Sequence, residues 1–198
     1  MATGKIGVST QNLFPIIKKW LYSDHDIFYR ELISNGCDAI TKLKKLEMMG
    51  EYELPEGYKD QIKVVLDPKE KTIQIIDNGL GMTEEEVDEY INQIAFSGAT
   101  DFIEKYKDKT NEDQIIGHFG LGFYSAFMVS DKVVVKSRPY GSDEAYSWTS
   151  EGVDGYTIEP CIMDEYGTKV ILHIKEDTED NKYSEYLDQY TISNLVKK

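Results

Sequence analysis

Four polar residues at helical spacing form the first group in this sequence that could do chemistry. They lie on one stripe of a predicted helix over residues 27–49 and are Glu31, Asn35, Asp38 and Lys42. Residues three and four positions apart share a helix face, so these side chains would sit together beside the apolar stripe of the same helix. An Asn oxygen suits a magnesium ion that keeps several waters, and Glu31, one turn earlier, could take a proton from water. Short motifs of this kind also occur on ordinary solvated helix faces.

A second group follows a predicted strand over residues 72–76. Asp77 stands at the end of that strand, and Gly79 and Gly81 follow it at alternate positions. This order suits a carboxylate aimed into a pocket whose floor is bare backbone. A carboxylate can accept a hydrogen bond from an exocyclic amine such as that of adenine, and a charge-assisted bond of this kind contributes about 1.5–3 kcal/mol. The alternative is a simple Asp-x-Gly turn, which is common.

A third group consists of Gly117, Gly120 and Gly122, just before a predicted apolar helix over residues 124–129. Closely spaced glycines expose backbone N–H groups, and a helix N-terminus adds positive potential, so a phosphate chain is the natural ligand. The spacing differs from the dinucleotide fingerprint and from the Walker sequence. The alternative is a flexible loop with glycine hinges, and such a loop can also act as a lid over bound phosphates.

The elements that position these groups follow from hydrophobic periodicity. Helices are expected over residues 13–22, 27–49 and 183–197, and a capping box at residues 83–86 opens a helix that would bury Val87, Tyr90, Ile91 and Ile94. A mobile loop is expected over 108–114. Strands are expected over 62–66, 72–76, 132–137, 146–150, 156–159 and 168–174. The first two form a hairpin, and turn residues between the last four predict an antiparallel meander.

The order of these elements predicts the fold class. Helices come mostly first and strands mostly later, which favours an α+β fold over a doubly wound parallel sheet. We therefore expect one domain over residues 1–198, a two-layer sandwich with the helices packed on one face of a largely antiparallel sheet.

Composition and charge exclude several classes of protein. The chain of 198 residues is 40% apolar, enough for a hydrophobic core, and its formal net charge of -14 argues against a nucleic-acid surface. No apolar stretch is long enough for a signal peptide or a membrane span. Cys37 and Cys161 have no metal-ligand spacing, so a reducing, cytoplasmic setting is expected. Cys37 is expected in the core, and the three histidines are too dispersed for metal binding.

Taken together, these groups resemble the nucleotide-binding domain of the ninety-kilodalton heat-shock chaperones, in the bacterial high-temperature protein G type. That family belongs to the GHKL ATPase superfamily, with gyrase B, MutL and the sensor histidine kinases. The resemblance is carried by R-E-L-I-S-N at 30–35, D-N-G-L-G-M-T at 77–83, I-A-F-S-G at 94–98, G-H-F-G-L-G-F-Y-S at 117–125 and Gly167-Thr168. It extends from about residue 6 to the end, and the first and fourth runs separate the family from its GHKL relatives.

The resemblance implies an ATP-binding and ATP-hydrolysing domain of a molecular chaperone with the GHKL, or Bergerat, fold. Glu31 would be the general base for hydrolysis, and Asn35 would be the Mg²⁺ ligand. Asp77 would bind the adenine amine, helped by Thr168 through water and by the backbone of Gly81.

Further contacts implied by the family surround the ribose and phosphates. Asp38 and Lys42 would border them, and Met82 and Phe123 would line the pocket. A lid over about residues 97–125 would close on ATP and drive the conformational change for protein folding; its hinge and phosphate loop would contain Gly117, Gly120 and Gly122. Three positions depart from the common family pattern and leave the ribose and lid contacts open: Cys37, Tyr90 and Phe96.

The resemblance also implies what surrounds the domain. Chains of this family are much longer, with a middle domain that supplies an arginine to the terminal phosphate and a C-terminal domain that dimerises. Residues 1–198 are therefore expected to be an N-terminal domain of a longer homodimeric chaperone that acts on unfolded or partly folded client proteins, with no nucleic acid or membrane partner. Alone, the domain is expected to bind ATP or ADP with Mg²⁺ and to hydrolyse ATP very slowly, because that arginine is missing.

Two other functions stay open at this stage. Another GHKL domain, such as the catalytic domain of a histidine kinase, would also bind ATP, although such kinases usually carry an N-x-x-x-N helix and Glu31 favours hydrolysis. A non-catalytic interaction module could retain the pocket alone.

Overall fold

The computed structural model describes residues 26–92, 122–152 and 155–197. The first range contains helix α1 (Ile27–Met48), strands β1 (Ile62–Asp67) and β2 (Thr72–Asp77), and helix α2 (Glu84–Asn92). The rest contains a 3₁₀ turn (Gly122–Ser125), helix α3 (Ala126–Val129), strands β3 (Ser130–Arg138), β4 (Ala145–Ser150), β5 (Tyr156–Cys161) and β6 (Gly167–Ile174), a second 3₁₀ turn (Tyr183–Leu187) and helix α4 (Gln189–Lys197). The predicted helix over 13–22 and the predicted loop over 108–114 lie outside the described residues.

The six strands form one antiparallel sheet in the order β1-β2-β6-β3-β4-β5. The prediction of a simple meander is wrong for β6, which pairs with β2 and β3 rather than with β5. The residues of β5 and β6 explain why β5 lies at the edge of the sheet and β6 in its middle. Strand β5 carries Pro160, which has no N–H to donate and therefore suits an edge, whereas β6 carries the apolar run 170–172, which suits a central strand.

One face of the sheet forms the hydrophobic core with the helices, as the α+β prediction requires. Alternate residues of the strands point to this face, since side chains alternate along a strand. Helix α1 packs against β1, β2 and β6, α3 against β3, and α2 against β4. Fully buried members of this core include Phe28, Ile73, Val87, Val133, Trp148 and Leu172.

Helix α1 confirms the predicted apolar stripe and corrects one position. The periodicity predicts Leu32, Gly36, Ala39 or Ile40, Leu43 and Leu46 as the apolar stripe. All of these are buried except Ala39, which is half-buried, so Ile40 is the stripe member at that position. The expectation that Cys37 belongs to the core is wrong, because Cys37 is exposed. At about 100° per residue, Cys37 falls beyond the far edge of the buried stripe, on the side away from Glu31 and Asn35.

The ends of two further helices are set by side-chain caps. The predicted capping box is confirmed: the Thr83 N–H donates to Glu86 Oε2 at 2.9 Å, and the Glu86 N–H donates to Thr83 Oγ1 at 3.3 Å. Near the C-terminus, the single predicted helix is interrupted at Asp188, whose carboxylate accepts the Thr191 N–H at 2.9 Å and so starts α4 anew. Within the described ranges, no helix is long and apolar enough to cross a bilayer.

Candidate functional site

A row of three polar side chains crosses one end of the core face of the sheet. Asp77 on β2 is the register partner of Thr168 on β6, and Thr168 is the register partner of Ser137 on β3. Their exposed fractions are 9%, 9% and 0%. The next residues on the same face, Ile75 and Val135, belong to the hydrophobic core. Buried polar groups persist where hydrogen bonds satisfy them, so this row marks a position built for polar contacts.

Asp77 is the acid of this row, and its surroundings shift its pKa. Its Oδ1 accepts the Gly79 N–H at 2.9 Å, and the backbone N–H of Thr168 is a further donor. Burial raises the pKa of Asp77 to about 7, and these N–H donors oppose the shift because they stabilise the anion. The carboxyl is therefore close to half ionised at neutral pH, and a ligand that donates a hydrogen bond to it favours the ionised form.

Two glycines in the segments around Asp77 adopt backbone conformations that favour glycine. Gly81 and Gly167 have positive φ values of 71° and 107°, in the left-handed region that favours glycine. A Cβ on Gly81 would overlap the carbonyl oxygen of Arg138, and a Cβ on Gly167 would overlap the carbonyl oxygen of Asp77. Larger residues at these two positions would therefore displace the loop after β2 or the start of β6.

Helix α1 meets the Asp77 loop through backbone and small residues. A Cβ on Gly79 would lie 2.5 Å from the Ala39 carbonyl carbon, and one on Gly36 would lie 3.3 Å from the Asp77 Cβ. The Leu80 N–H donates to the Ala39 carbonyl at 3.1 Å. These contacts bring the first two predicted groups together, and they explain why Gly36 stands in a helix interior, where glycine costs about 1 kcal/mol relative to alanine.

The four residues of the polar stripe of α1 are not equally exposed. Asp38 is buried, Glu31 and Lys42 are half-buried, and Asn35 is exposed. Glu31 Oε1 lies 3.7 Å from Arg30 Nη2, a long contact to a side chain that is 74% exposed. The stripe thus runs along the margin of the core, as predicted, with its Asn35 amide open to solvent.

Of the third predicted group, Gly122 lies within the described residues. A Cβ on Gly122 would overlap Glu31 Oε2 and lie 3.0 Å from the Glu31 Cδ, so the start of the first 3₁₀ turn rests against this carboxylate. Gly117, Gly120, Phe96 and most of the predicted lid over 97–125 lie outside the described residues.

The two predicted pocket-lining residues have structural contacts as well. Phe123 makes edge-to-face contacts with Trp148 and Tyr124, with ring centroids 5.6 and 5.7 Å apart. Met82 is half-buried and packs against the same core. Both residues therefore join the site to the core of the sheet.

Sequence reasoning missed Ser137, which holds the loop after β2. The Met82 N–H donates to Ser137 Oγ at 2.9 Å. A signal existed in the sequence: Ser137 interrupts the alternation of Val133 and Val135 on the core face, at the end of the strand. A lone serine there is too weak a pattern to stand out before the neighbouring strands are known.

Asn78, inside the Asp-x-Gly sequence, is a second residue that sequence reasoning missed. Its Nδ2 donates to the Lys59 carbonyl at 2.8 Å, and its Oδ1 accepts the Gln61 N–H at 2.9 Å. The Tyr58 hydroxyl donates to the Asn78 carbonyl at 2.9 Å. Asn78 thus ties the loop between α1 and β1 to the residue that follows Asp77.

Comparisons with known proteins give the family of the chain. Residues 28–178 match the family described as histidine kinase-, DNA gyrase B-, and HSP90-like ATPase. The chain is similar to the chaperone protein HtpG of Bacteroides thetaiotaomicron, with 48% identity over 199 residues that cover 100% of this chain and 28% of the relative. It is also similar to HtpG of Porphyromonas gingivalis strain W83, with 49% identity over 98% of this chain and 28% of that relative. For HtpG of Clostridium botulinum strain Loch Maree, identity is 44% over 100% of this chain and 32% of the relative.

Proposed function

This chain belongs to the family of histidine kinase-, DNA gyrase B-, and HSP90-like ATPases, and on that premise we propose that it binds ATP and hydrolyses it slowly as the nucleotide-binding domain of a molecular chaperone. The observation that carries the proposal is the buried Asp77 carboxyl, set among glycine backbone and backed by helix α1. No basic side chain among the described residues is recorded as a partner of this carboxyl, so a ligand that donates a hydrogen bond to it suits the position.

The base of the nucleotide is the part that fits Asp77. The exocyclic amine of adenine donates a hydrogen bond, and an ionised Asp77 accepts it. Thr168 is the register partner of Asp77 and adds a hydroxyl beside the carboxylate. The backbone of Gly81, in the loop that follows Asp77, would add a further polar contact to the base.

The phosphates and their metal fit the helix side of the site. The exposed Asn35 amide oxygen would hold Mg²⁺, which would neutralise phosphate charge when bound. Gly122 presents bare backbone beside Glu31. Asp38 and Lys42 flank the same stripe, and Gly117 and Gly120 would complete the phosphate loop.

Hydrolysis requires one proton acceptor near the terminal phosphate. Glu31, one helical turn before Asn35, would accept a proton from water as that water attacks the γ-phosphorus. The bond from the γ-phosphorus to the bridging oxygen breaks, ADP leaves, and the proton held on Glu31 passes to solvent. The single domain would be slow, because the arginine that would stabilise the charge growing in the transition state would come from elsewhere in a longer chain.

The wider role rests on the relatives. The chain spans 28% of the length of the first two relatives, and we propose that it is an N-terminal domain of a longer, cytoplasmic, homodimeric chaperone. In that chaperone, closure of a lid over about residues 97–125 on ATP would drive the conformational changes that act on unfolded client proteins.

Isothermal titration with Mg-ATP tests this proposal. We expect saturable binding with one nucleotide per chain, and weaker binding of Mg-GTP, whose base presents an oxygen in place of the amine. Phosphate release should be slow in the wild-type domain and about 100-fold or more slower in Glu31→Ala. A titration without heat, together with a melting temperature that Mg-ATP leaves unchanged, would contradict the proposal and favour a non-catalytic interaction module.

A further inference from the structure

Ser137 stands where the polar row meets the loop after Asp77. It is 0% exposed, and it has no part in the hydrolysis outlined above. Its Oγ makes three contacts: it accepts the Met82 N–H at 2.9 Å, donates to the Gly167 carbonyl at 3.2 Å, and lies 3.0 Å from Thr168 Oγ1. One buried hydroxyl therefore joins both segments that flank Asp77.

The proton of each hydroxyl can be assigned by counting. A serine hydroxyl has one proton and two lone pairs. The Met82 N–H can only donate, so it occupies one lone pair of Ser137. The Gly167 carbonyl can only accept, whereas either hydroxyl could donate in the contact between Ser137 and Thr168, so all three contacts are hydrogen bonds only when the Ser137 proton goes to the Gly167 carbonyl. The second lone pair of Ser137 then receives the proton of Thr168, and the Thr168 hydroxyl keeps only lone pairs for any other partner.

We propose that Ser137 is a positioning residue that sets the preference for adenine by holding the Thr168 hydroxyl as a hydrogen-bond acceptor. This inference rests on the proposed nucleotide function. Thr168 and Asp77 are register partners on the same face, so the site presents two acceptors side by side. Adenine places a donor amine at its 6-position, whereas hypoxanthine and guanine place an acceptor oxygen there, and two facing acceptors repel each other.

The ratio of the affinity for Mg-ATP to the affinity for Mg-ITP tests this role of Ser137. In the wild-type domain, Mg-ATP should bind more tightly than Mg-ITP, whose base is hypoxanthine. In Ser137→Ala, the Thr168 hydroxyl can rotate and donate, so the ratio of ATP affinity to ITP affinity should fall about 3- to 10-fold, the effect of one hydrogen bond. A purely structural role of Ser137 would weaken both nucleotides equally and leave the ratio unchanged.

Ser150 provides a matched control. Its buried hydroxyl also accepts a backbone N–H, from Gly152 at 3.0 Å, and donates to a backbone carbonyl, that of Gly155 at 2.7 Å. It pairs with Val133, at the other end of the β3–β4 pairing from Ser137. Ser150→Ala should lower the melting temperature to a similar extent as Ser137→Ala, with the ATP to ITP ratio of the wild type.

A double-mutant cycle tests whether Ser137 changes the ATP to ITP ratio through the Thr168 hydroxyl. Thr168→Val removes the second hydroxyl, so adding Ser137→Ala to it should leave the ATP to ITP ratio unchanged. A Ser137→Ala ratio equal to that of the wild type, or a fall in the ratio that persists in the Thr168→Val background, would overturn the inference. If Ser137→Ala does not fold, Ser137→Cys, with its weak sulfur acceptor, replaces it in the same cycle.

The same titrations separate this inference from the proposed function. If the wild-type domain binds neither nucleotide, both the proposed function and the role of Ser137 are overturned. If it binds Mg-ATP and Asp77→Asn abolishes that binding, the proposed function stands, and an unchanged ratio in Ser137→Ala overturns only the role of Ser137.

Discussion

The two ends of the candidate site differ in burial and in how firmly they are held. The base end, formed by Asp77, Thr168 and Ser137, is buried and tied together by hydrogen bonds between strands. The helix end, formed by Glu31 and Asn35, is half-buried to exposed; Glu31 lies against Gly122 and makes a long contact to an exposed arginine.

This difference fits two separate tasks. Recognition of a flat base benefits from groups that are fixed before the ligand arrives, since less conformational freedom is then lost on binding. Proton transfer at a terminal phosphate needs water to enter, and a buried carboxylate could not receive it readily. We therefore expect changes at the base end to affect folding and binding, and changes at the helix end to affect turnover.

The largest expected effect comes from Gly167→Ala at the base end. A Cβ there would overlap the Asp77 carbonyl oxygen, and the φ of 107° already strains an alanine. We expect a loss of about 4 kcal/mol or more in the free energy of unfolding, measured by urea denaturation. Gly155→Ala is the control, because Gly155 has a φ of 102° but no atom within 4 Å of the added Cβ. Equal losses in the two variants would mean that Gly167 is not closely packed against Asp77.

The next effect separates the helix end from the base end. Glu31→Ala should lower the rate of phosphate release by about 100-fold or more, which corresponds to about 2.7 kcal/mol in the activation barrier. Binding of Mg-ATP and the free energy of unfolding should stay within about 0.5 kcal/mol of the wild type, because Glu31 is not buried. Glu47→Ala, an exposed acid on the same helix, should change none of these quantities. Loss of ATP binding in Glu31→Ala would show that this residue is structural.

A pH titration of stability tests the base end without any ligand. Burial raises the pKa of Asp77 from 3.8 to about 7, so between these values the folded state holds a proton that the unfolded state has lost. The contribution of Asp77 to stability should therefore be complete below about pH 4, fall by about 1.4 kcal/mol per pH unit at its steepest, and be gone above about pH 7. The difference between wild type and Asp77→Asn isolates this term. A difference that does not change with pH would show that Asp77 is not buried as described.

The smallest effect is expected at Arg30. Its Nη2 lies 3.7 Å from Glu31 Oε1, and its side chain is 74% exposed. Exposed ion pairs contribute little, so Arg30→Ala should change the free energy of unfolding by less than about 0.5 kcal/mol and the phosphate-release rate by less than about threefold. A tenfold or greater loss of rate would show that Arg30 positions Glu31 and that the helix end is more ordered than its exposure indicates.

Local features of the fold could be predicted, whereas long-range pairing could not. Helix α1, the hairpin and the capping box follow from periodicity and turn chemistry within a few residues. The insertion of β6 between β2 and β3 depends on which strands pair, and turns alone do not specify that. Pro160 was the one local signal that β5 belongs at an edge.

The site shows the same division between local and long-range information. The polar stripe of α1 was predicted from its helical spacing, and Asp77 was predicted from the two glycines that follow it at alternate positions. Ser137 was missed because its importance comes from two strands that it touches across the sheet. Cys37 was predicted in the core because it points away from the polar stripe, but at about 100° per residue it also lies beyond the far edge of the apolar stripe.

The direct test of nucleotide recognition is the affinity of Asp77→Asn for Mg-ATP, measured by isothermal titration at pH 8, where the wild-type carboxyl is mostly ionised. We predict at least about a tenfold loss relative to the wild type, since an asparagine amide replaces a charge-assisted acceptor with a neutral one. The melting temperature without ligand should be equal to or above that of the wild type. Wild-type affinity in Asp77→Asn would contradict the assignment of Asp77 as the group that recognises the base.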